Sequence, residues 1–243
     1  MKRSRILTVI LVCAAALLVL CACGKGGSGT ATGGSAKDPK ITIDPEAVVS
    51  VTDAKQLVGT WTTTPIDFTD SINEQLGATL SEDTLEYFRV GSFSYCLTFT
   101  FTPEGYFSMQ PDSDSVDASI DGIKEDFAAG VAKMYTDLAE SQGAKVEDVV
   151  DAIGYESLDA LVEYTLTAFD FDQIKFNINA PLNVSGNYDV VEGRVVLLGS
   201  VVDDVHVGTF DACFKNGRLF FIPPTDTDEN LLFDRTLTLI KTE

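Results

Sequence analysis

Cys21 and Cys23, in the stretch Leu20-Cys21-Ala22-Cys23, are the residues whose type and spacing most directly offer chemistry. A Cys-x-Cys pair can ligate a metal, close a disulfide or take a covalent modification. A structural zinc site needs about four nitrogen or sulfur ligands, and the chain holds one histidine, His206, to accompany them. His206 is the one side chain that titrates near neutrality without help from its surroundings. In Asp203-Asp204-Val205-His206-Val207-Gly208 it stands on the parity opposite Val205 and Val207, which reads as a surface strand position beside aspartates rather than a general base. No Gly-x-Ser-x-Gly elbow, phosphate loop, zinc motif or dinucleotide fingerprint occurs. Two acidic runs, Asp112-Ser113-Asp114 with Asp117 and Asp226-Thr227-Asp228-Glu229-Asn230, lack the sixth-position glycine and twelfth-position glutamate of a helix-loop-helix calcium site and read as solvated turns. The sequence therefore assigns no catalytic residue, no cofactor and no metal, and the chain does not read as an enzyme.

The setting of the two cysteines decides their role. Lys2, Arg3 and Arg5 precede an aliphatic run from Ile6 to Leu20 that only Thr8 and Cys13 interrupt. A membrane-spanning helix needs about 20 apolar residues, whereas this run has the length of a signal-peptide core. Leu20-Cys21-Ala22-Cys23 then resembles the lipobox of bacterial lipoproteins, with an aliphatic residue third before the cleavage point, a small one directly before it and a cysteine after it. The resemblance implies that Cys23 is diacylated and becomes the first residue of the mature chain, anchored on the extracytoplasmic face of the cell membrane. Cys21 is unsuited, because Leu20 before it is too large for the cleavage pocket. Two acyl chains hold firmly where one is marginal, each buried methylene contributing about 0.8 kcal/mol. Gly24 to Lys37 carries no large apolar residue and reads as a flexible spacer. The expected organisation is a signal peptide over 1–22, a tether over 23–40 and one folded domain over 41–243.

Charge narrows the partners. The formal charge of −20 becomes −23 once Lys2, Arg3 and Arg5 are removed with the leader. Such a chain is repelled by nucleic acid, whose binding depends on clustered Lys and Arg, and the acidity reads as solubility at a crowded surface. Cys96 and Cys213 remain in the folded part, each on the polar parity of its strand, and they can pair only if those strands are neighbours.

The elements that would position any site fall into three blocks: strands, helices, strands. Leu57 to Thr64 alternates, with Leu57, Gly59, Trp61 and Thr63 on one face. Phe93 to Thr102 does so more clearly, with Phe93, Tyr95, Leu97, Phe99 and Phe101 inward. Pro103-Glu104-Gly105 supplies a hairpin turn back into Tyr106 to Met109. Ser71-Ile72-Asn73-Glu74 has the pattern of a capping box for a short helix, and Ser81 can cap a second. From Ser115 to Asp170 the period changes: Ile120, Ile123, Phe127, Val131, Met134 and Leu138 make one helical stripe, a second helix stops at Gly154 and a third starts after Ser157. Glu192-Gly193 and Asn216-Gly217 then mark two hairpins, and Leu231 to Lys241 closes the chain. Val195 to Leu198 and Leu219 to Ile222 are apolar on both faces and need cover on both.

These patterns predict a mainly β fold with a helical insertion: eight or nine antiparallel strands in meander order, closing into a barrel, with a three-helix insertion at 115–170 between the third and fourth strands. Gly59-Thr60-Trp61 on the first strand and Arg235 on the last resemble the pattern of the lipocalin (calycin) family. The resemblance implies an up-and-down barrel in which Arg235 stacks on Trp61 at the closure, a cation–π lock. It also implies a binding role: a small apolar ligand or an envelope component inside the barrel, lined by Phe93, Tyr95, Phe99 and Phe101. Bulky inward residues suit a filled interior equally, in which case the module acts on another envelope protein through its helical insertion or its acidic surface.

Overall fold

The structure, a computed structural model, describes residues 48–201, 205–224 and 235–242. The leader, Cys23, the whole tether and the acidic run from Asp226 lie outside the described residues. The chain divides into two compact units, one holding Asp67–Ser94 and Asp117–Asn177 and the other holding the remaining described residues.

The second unit is an antiparallel barrel. Its strands are β1 (Val49–Ser50), β2 (Gly59–Thr63), β5 (Leu97–Phe101), β6 (Tyr106–Pro111), β7 (Val184–Val191), β8 (Arg194–Val201), β9 (Val205–Lys215), β10 (Arg218–Ile222) and β11 (Leu237–Lys241). Two further strands, β3 (Ile66–Asp67) and β4 (Ser94–Tyr95), form a short ladder of their own where the chain passes from one unit to the other and back. The main sheet runs β9-β10-β11-β2-β5-β6-β7-β8, and β8 pairs again with β9. Eight strands therefore close on themselves, and β1 lies beside β9 as a ninth, with Val49 opposite Phe214 and Ser50 opposite Cys213. Closure gives each of the eight strands a neighbour on both sides.

Local chemistry sets the register. Glu192 and Gly193 have φ of 53° and 82°, and Asn216 and Gly217 have 53° and 74°. Two positive φ values make the turn whose twist matches the flanking strands, so each tip fixes the pairing of the hairpin behind it. In β5 the alternation is complete: Leu97, Phe99 and Phe101 are buried and Thr98 and Thr100 half-buried. The longer alternation from Phe93 is interrupted at Cys96, which separates β4 from β5. Leu198, expected to need cover, is 55% exposed, so β8 keeps an open apolar position on its outer face.

The first unit is helical. It draws on α1 (Thr69–Thr79), α2 (Glu82–Leu85), α3 (Ser113–Ser141), α4 (Val146–Ile153), α5 (Leu158–Leu166) and α6 (Phe171–Leu182). Four helices thus stand between β6 and β7 where the sequence suggests three, because 171–182, assigned to the strand portion, is helical. The start of α1 also differs: the Asp67 carboxylate accepts from the Thr69 amide at 2.8 Å, which places Ser71 inside the helix instead of at its cap. The later signals read correctly. Gly154 stops α4 at φ 100°, and the Ser157 hydroxyl caps α5 by accepting from the Ala160 amide.

The core of this unit is aromatic. Phe127, from the α3 stripe, stands edge-on to Phe88 and to Phe169, each with centroids 5.4 Å apart. The stripe rotates along the helix, so Tyr135 and Ala139 are buried while Met134 and Leu138 are half-buried. Side chains pin the loop after α2. The Asn73 amide donates to the Val90 carbonyl at 2.8 Å and accepts from the Val90 amide at 2.9 Å, and the Asp126 carboxylate accepts from the Gly91 amide at 2.7 Å. No helix among the described residues is long and apolar enough to cross a membrane.

One glycine is required by this packing. A Cβ on Gly130 of α3 would stand 1.6 Å from the backbone oxygen of Tyr87. In an open helix Gly→Ala gains about 1 kcal/mol, whereas here the backbone of the α2 loop must move, an overpacking cost of about 1–3 kcal/mol. Gly130→Ala is therefore expected to lower the urea midpoint, and a raised midpoint would show that the close approach does not exist.

Candidate functional site

The barrel interior is the place where a lipocalin-like fold would hold a ligand, and it is built from alternate residues of nearly every strand. Phe99 and Phe101 point inward from β5, Phe107 and Met109 from β6, Tyr188 from β7, Phe210 from β9 and Phe221 from β10, all buried. Phe101 lies at the centre. Its ring stands edge-on to Tyr188 at 4.9 Å and to Phe221 at 6.3 Å, and it is stacked with Phe99 at 6.2 Å and Phe107 at 6.4 Å. Phe221 in turn contacts Phe99 at 5.9 Å and Phe210 at 5.5 Å. These separations are the ordinary contact range of packed aromatic rings. A Cβ added to Gly199 of β8 would stand 2.8 Å from Phe107 and from Val184, so this part of the wall has no spare volume either. The middle of the barrel is packed with rings.

The chain that leads into the barrel makes a 3-10 turn beside Tyr188 of β7. Asp53 caps the 3-10 turn Ala54–Gln56, its carboxylate accepting from the Lys55 amide while the Gln56 side chain accepts from the Asp53 amide. Behind this turn Val51 and Leu57 are fully buried. The indole Nε1 of Trp61 donates to the Leu57 carbonyl at 2.6 Å, and the Tyr188 hydroxyl donates to the Thr102 carbonyl at 2.8 Å. Both buried polar tips are thus satisfied, as an apolar interior demands. Burial pushes the Tyr188 phenol above its ordinary range, so it remains a donor at neutral pH.

The cation on the tryptophan is Lys241, not Arg235. The pairing of β11 with β2 sets Lys241 opposite Trp61, and the ammonium lies 5.4 Å from the ring centroid while donating to the Val58 carbonyl at 3.0 Å. Arg235 precedes β11, at the end of the strand remote from Lys241. Both residues have the parity the sequence suggests; the register of the last strand selects between them.

The other residues singled out in the sequence are dispersed. Phe93 belongs to the helical unit, where its amide donates to the Thr69 hydroxyl at 2.8 Å and its carbonyl accepts from the Phe68 amide at 2.8 Å. Tyr95 is buried on β4. His206 lies on β9 opposite Ser200. Asp112 caps α3 by accepting from the Ser115 amide at 2.9 Å, and Asp117 pairs with Lys175. Cys96 and Cys213 are both free. Cys213, outward by parity, is nonetheless buried, because Ser50 of β1 and Phe220 of β10 flank it. Burial first, and then Asp112, raises the Cys96 thiol; burial first, and then Asp211, raises that of Cys213. Neither is a poised nucleophile, since the thiolate is the reactive form.

On the helical unit the densest polar cluster surrounds Lys133. Its ammonium contacts the carboxylates of Asp137 at 2.8 Å and Glu86 at 3.2 Å and lies 4.6 Å from the centre of the Tyr87 ring, whose hydroxyl donates to Asp137 at 2.9 Å. The hydrogen bonds donated by Lys133 and Tyr87 lower the Asp137 pKa, and those that Lys133 donates to Asp137 and then Glu86 raise its own. All four groups are partnered in a solvated network, which offers no free acid or base. No protein-family model, curated protein or solved structure matches this chain significantly.

Two outcomes follow from this geometry. Phe101→Ala should destabilise the fold by about 3–5 kcal/mol, the cost of a cavity among rings that cannot collapse onto it; a loss under about 1 kcal/mol in urea titration would mean that the interior was already open. Alkylation of Cys96 and Cys213 in the folded protein, read by peptide mass, should be slower than in the unfolded chain. Its pH profile should lie at higher pH than that of the unfolded chain, since a raised folded-state pKa keeps both groups protonated longer.

Proposed function

We propose that this protein is a membrane-tethered extracytoplasmic lipoprotein, acylated on Cys23, whose barrel is a packed scaffold and whose work is contact with another envelope protein. The observation that supports a protein partner over a ligand is the ring packing around Phe101, which brings four other aromatic rings to contact distance in the middle of the barrel. The anchor rests on the order of charged residues, aliphatic run and lipobox. The helical unit offers suitable contact residues: Tyr164 is 61% exposed and packed 5.3 Å from Tyr155, and Phe176 is 63% exposed. Exposed aromatic side chains are the commonest anchors of protein interfaces, giving large contact area for little lost rotamer freedom.

Both halves of the reading can be tested. Cells fed an alkyne-tagged palmitate should label the wild-type chain and not Cys23→Ala, and label on both or on neither removes the anchor. A fluorescent fatty-acid probe should show no saturable binding to the purified protein, whereas stoichiometric binding displaced by unlabelled fatty acid restores the ligand reading. A photo-reactive residue at Tyr164 or Phe176 should crosslink one defined partner in intact cells, with none from Tyr106 on the barrel; the reverse pattern would move the contact surface to the barrel.

A further inference from the structure

Two cations of the barrel unit stand side by side at one corner. The Asn216-Gly217 turn sets Lys215 of β9 directly opposite Arg218 of β10, and Arg218 faces Ile240 on β11. Like charges directly opposite each other on antiparallel strands destabilise the pair. Nothing offsets the repulsion locally: among the described residues neither Lys215 nor Arg218 forms an ion pair, in a chain with 37 acidic residues and 17 basic ones. A local rule broken without compensation is characteristic of a functional surface. Arg218 is exposed and Lys215 half-buried, and Ile240 opposite Arg218 is 42% exposed, so the corner is cationic with an apolar residue beside it.

The chain's own connection supplies the occupant. The first described strand, β1, enters at this corner: Val49 pairs with Phe214, the residue before Lys215, and is itself 60% exposed. The 47 residues that precede the described chain, with Cys23 among them, are joined to the barrel here. A lipid on Cys23 therefore pulls on this corner, which is the part of the barrel unit closest along the chain to the bilayer.

We propose that Lys215 and Arg218 form a docking patch for the anionic phospholipid headgroups of the membrane that holds the Cys23 lipid, a proposal that rests on the lipoprotein reading above. The guanidinium of Arg218 grips a phosphate with two parallel hydrogen bonds while Lys215 adds point charge, and Ile240 enters the interfacial region. Each cation near an anionic surface contributes about fivefold in binding, weak alone. The tether makes the contact intramolecular, with an effective concentration on the order of millimolar. The acidic remainder of the chain is repelled by the same surface, so the patch orients the module as well as holding it.

The test uses the processed lipoprotein on vesicles of phosphatidylcholine alone or with phosphatidylglycerol, each carrying a dansyl-labelled headgroup. Flotation with phosphatidylcholine reports the anchor. Energy transfer from Trp61, the one tryptophan of the chain, reports the approach of the corner to the headgroups. Transfer is expected to be at least about twofold higher with phosphatidylglycerol, to fall towards the phosphatidylcholine level in about 1 M salt where the screening length is near 3 Å, and to fall likewise in Lys215→Glu with Arg218→Glu. Equal transfer on the two vesicle types, or transfer unaltered by the double substitution, overturns the proposal while leaving the anchor intact. A protein that fails to float on phosphatidylcholine overturns the anchor instead. Co-sedimentation with phosphatidylglycerol vesicles then decides the patch, where the wild type must exceed the double variant by about tenfold or more and equality sinks it.

Discussion

Closure of the sheet between β2 and β11, which lie at opposite ends of the folded chain, is the constraint on which the barrel unit depends. Seven ladders of a meander can form from hairpins and still leave two open edges; the eighth must join strands whose geometry the other seven have already fixed. Here β9 is long enough to serve three neighbours, pairing with β8 towards its start, with β10 along its end, and with the two residues of β1 beyond the end of β8. The ladder between β8 and β9 is not regular throughout, because the register shifts between Leu197 and Ser200. Such an irregularity lets a strand bend where a closing barrel must turn. Once closed, the sheet has a fixed interior, and the size of the inward residues then decides whether that interior is a cavity or a core.

Those residues make it a core. Eight strands enclose a space only just wide enough for side chains to fill, and this chain supplies rings from five strands at mutual contact distance. The polar groups that remain inside each have a protein partner: Thr63 accepts from the Leu97 amide at 2.9 Å, Trp61 donates to Leu57 and Tyr188 to Thr102. A buried polar network satisfied by its own chain gives no orientation to a guest. The rings and the satisfied polar groups together give the barrel interior the character of a packed core.

What could be read in the sequence divides by range. The two Gly hairpins, the alternation of β5, the stop at Gly154 and the cap at Ser157 are local signals, each decided by residues within a turn or two of one another. The helix α6 was hidden because Ile174, Phe176 and Ile178 alternate with Lys175, Asn177 and Asn179, a period of two that tertiary context overrides. Phe93 shares its alternation with Phe99 across Cys96, and nothing in that pattern marks the passage between two units. Lys241 and Arg235 share a parity with Leu237 and Leu239, so only the pairing of the first strand with the last, a contact across most of the chain, tells which one meets Trp61. The aromatic partners of Phe101 were visible as apolar residues, but their convergence belongs to closure and not to any one segment.

The placement of the helices has a kinetic consequence. β6 and β7 are neighbours in the sheet, Phe107 lying opposite Gly186, yet the chain between them makes four helices. Bringing those strands together from an extended chain means closing a long loop, and the entropy of that closure grows only logarithmically with its length but must be met before any ladder bond forms. Helices rely on local contacts and form faster than strand pairings between distant segments. If α3 to α6 condense first, the loop that remains to be closed is shorter and stiffer than the sequence separation suggests. The helical unit then acts during folding as an internal splint, setting when the barrel can shut.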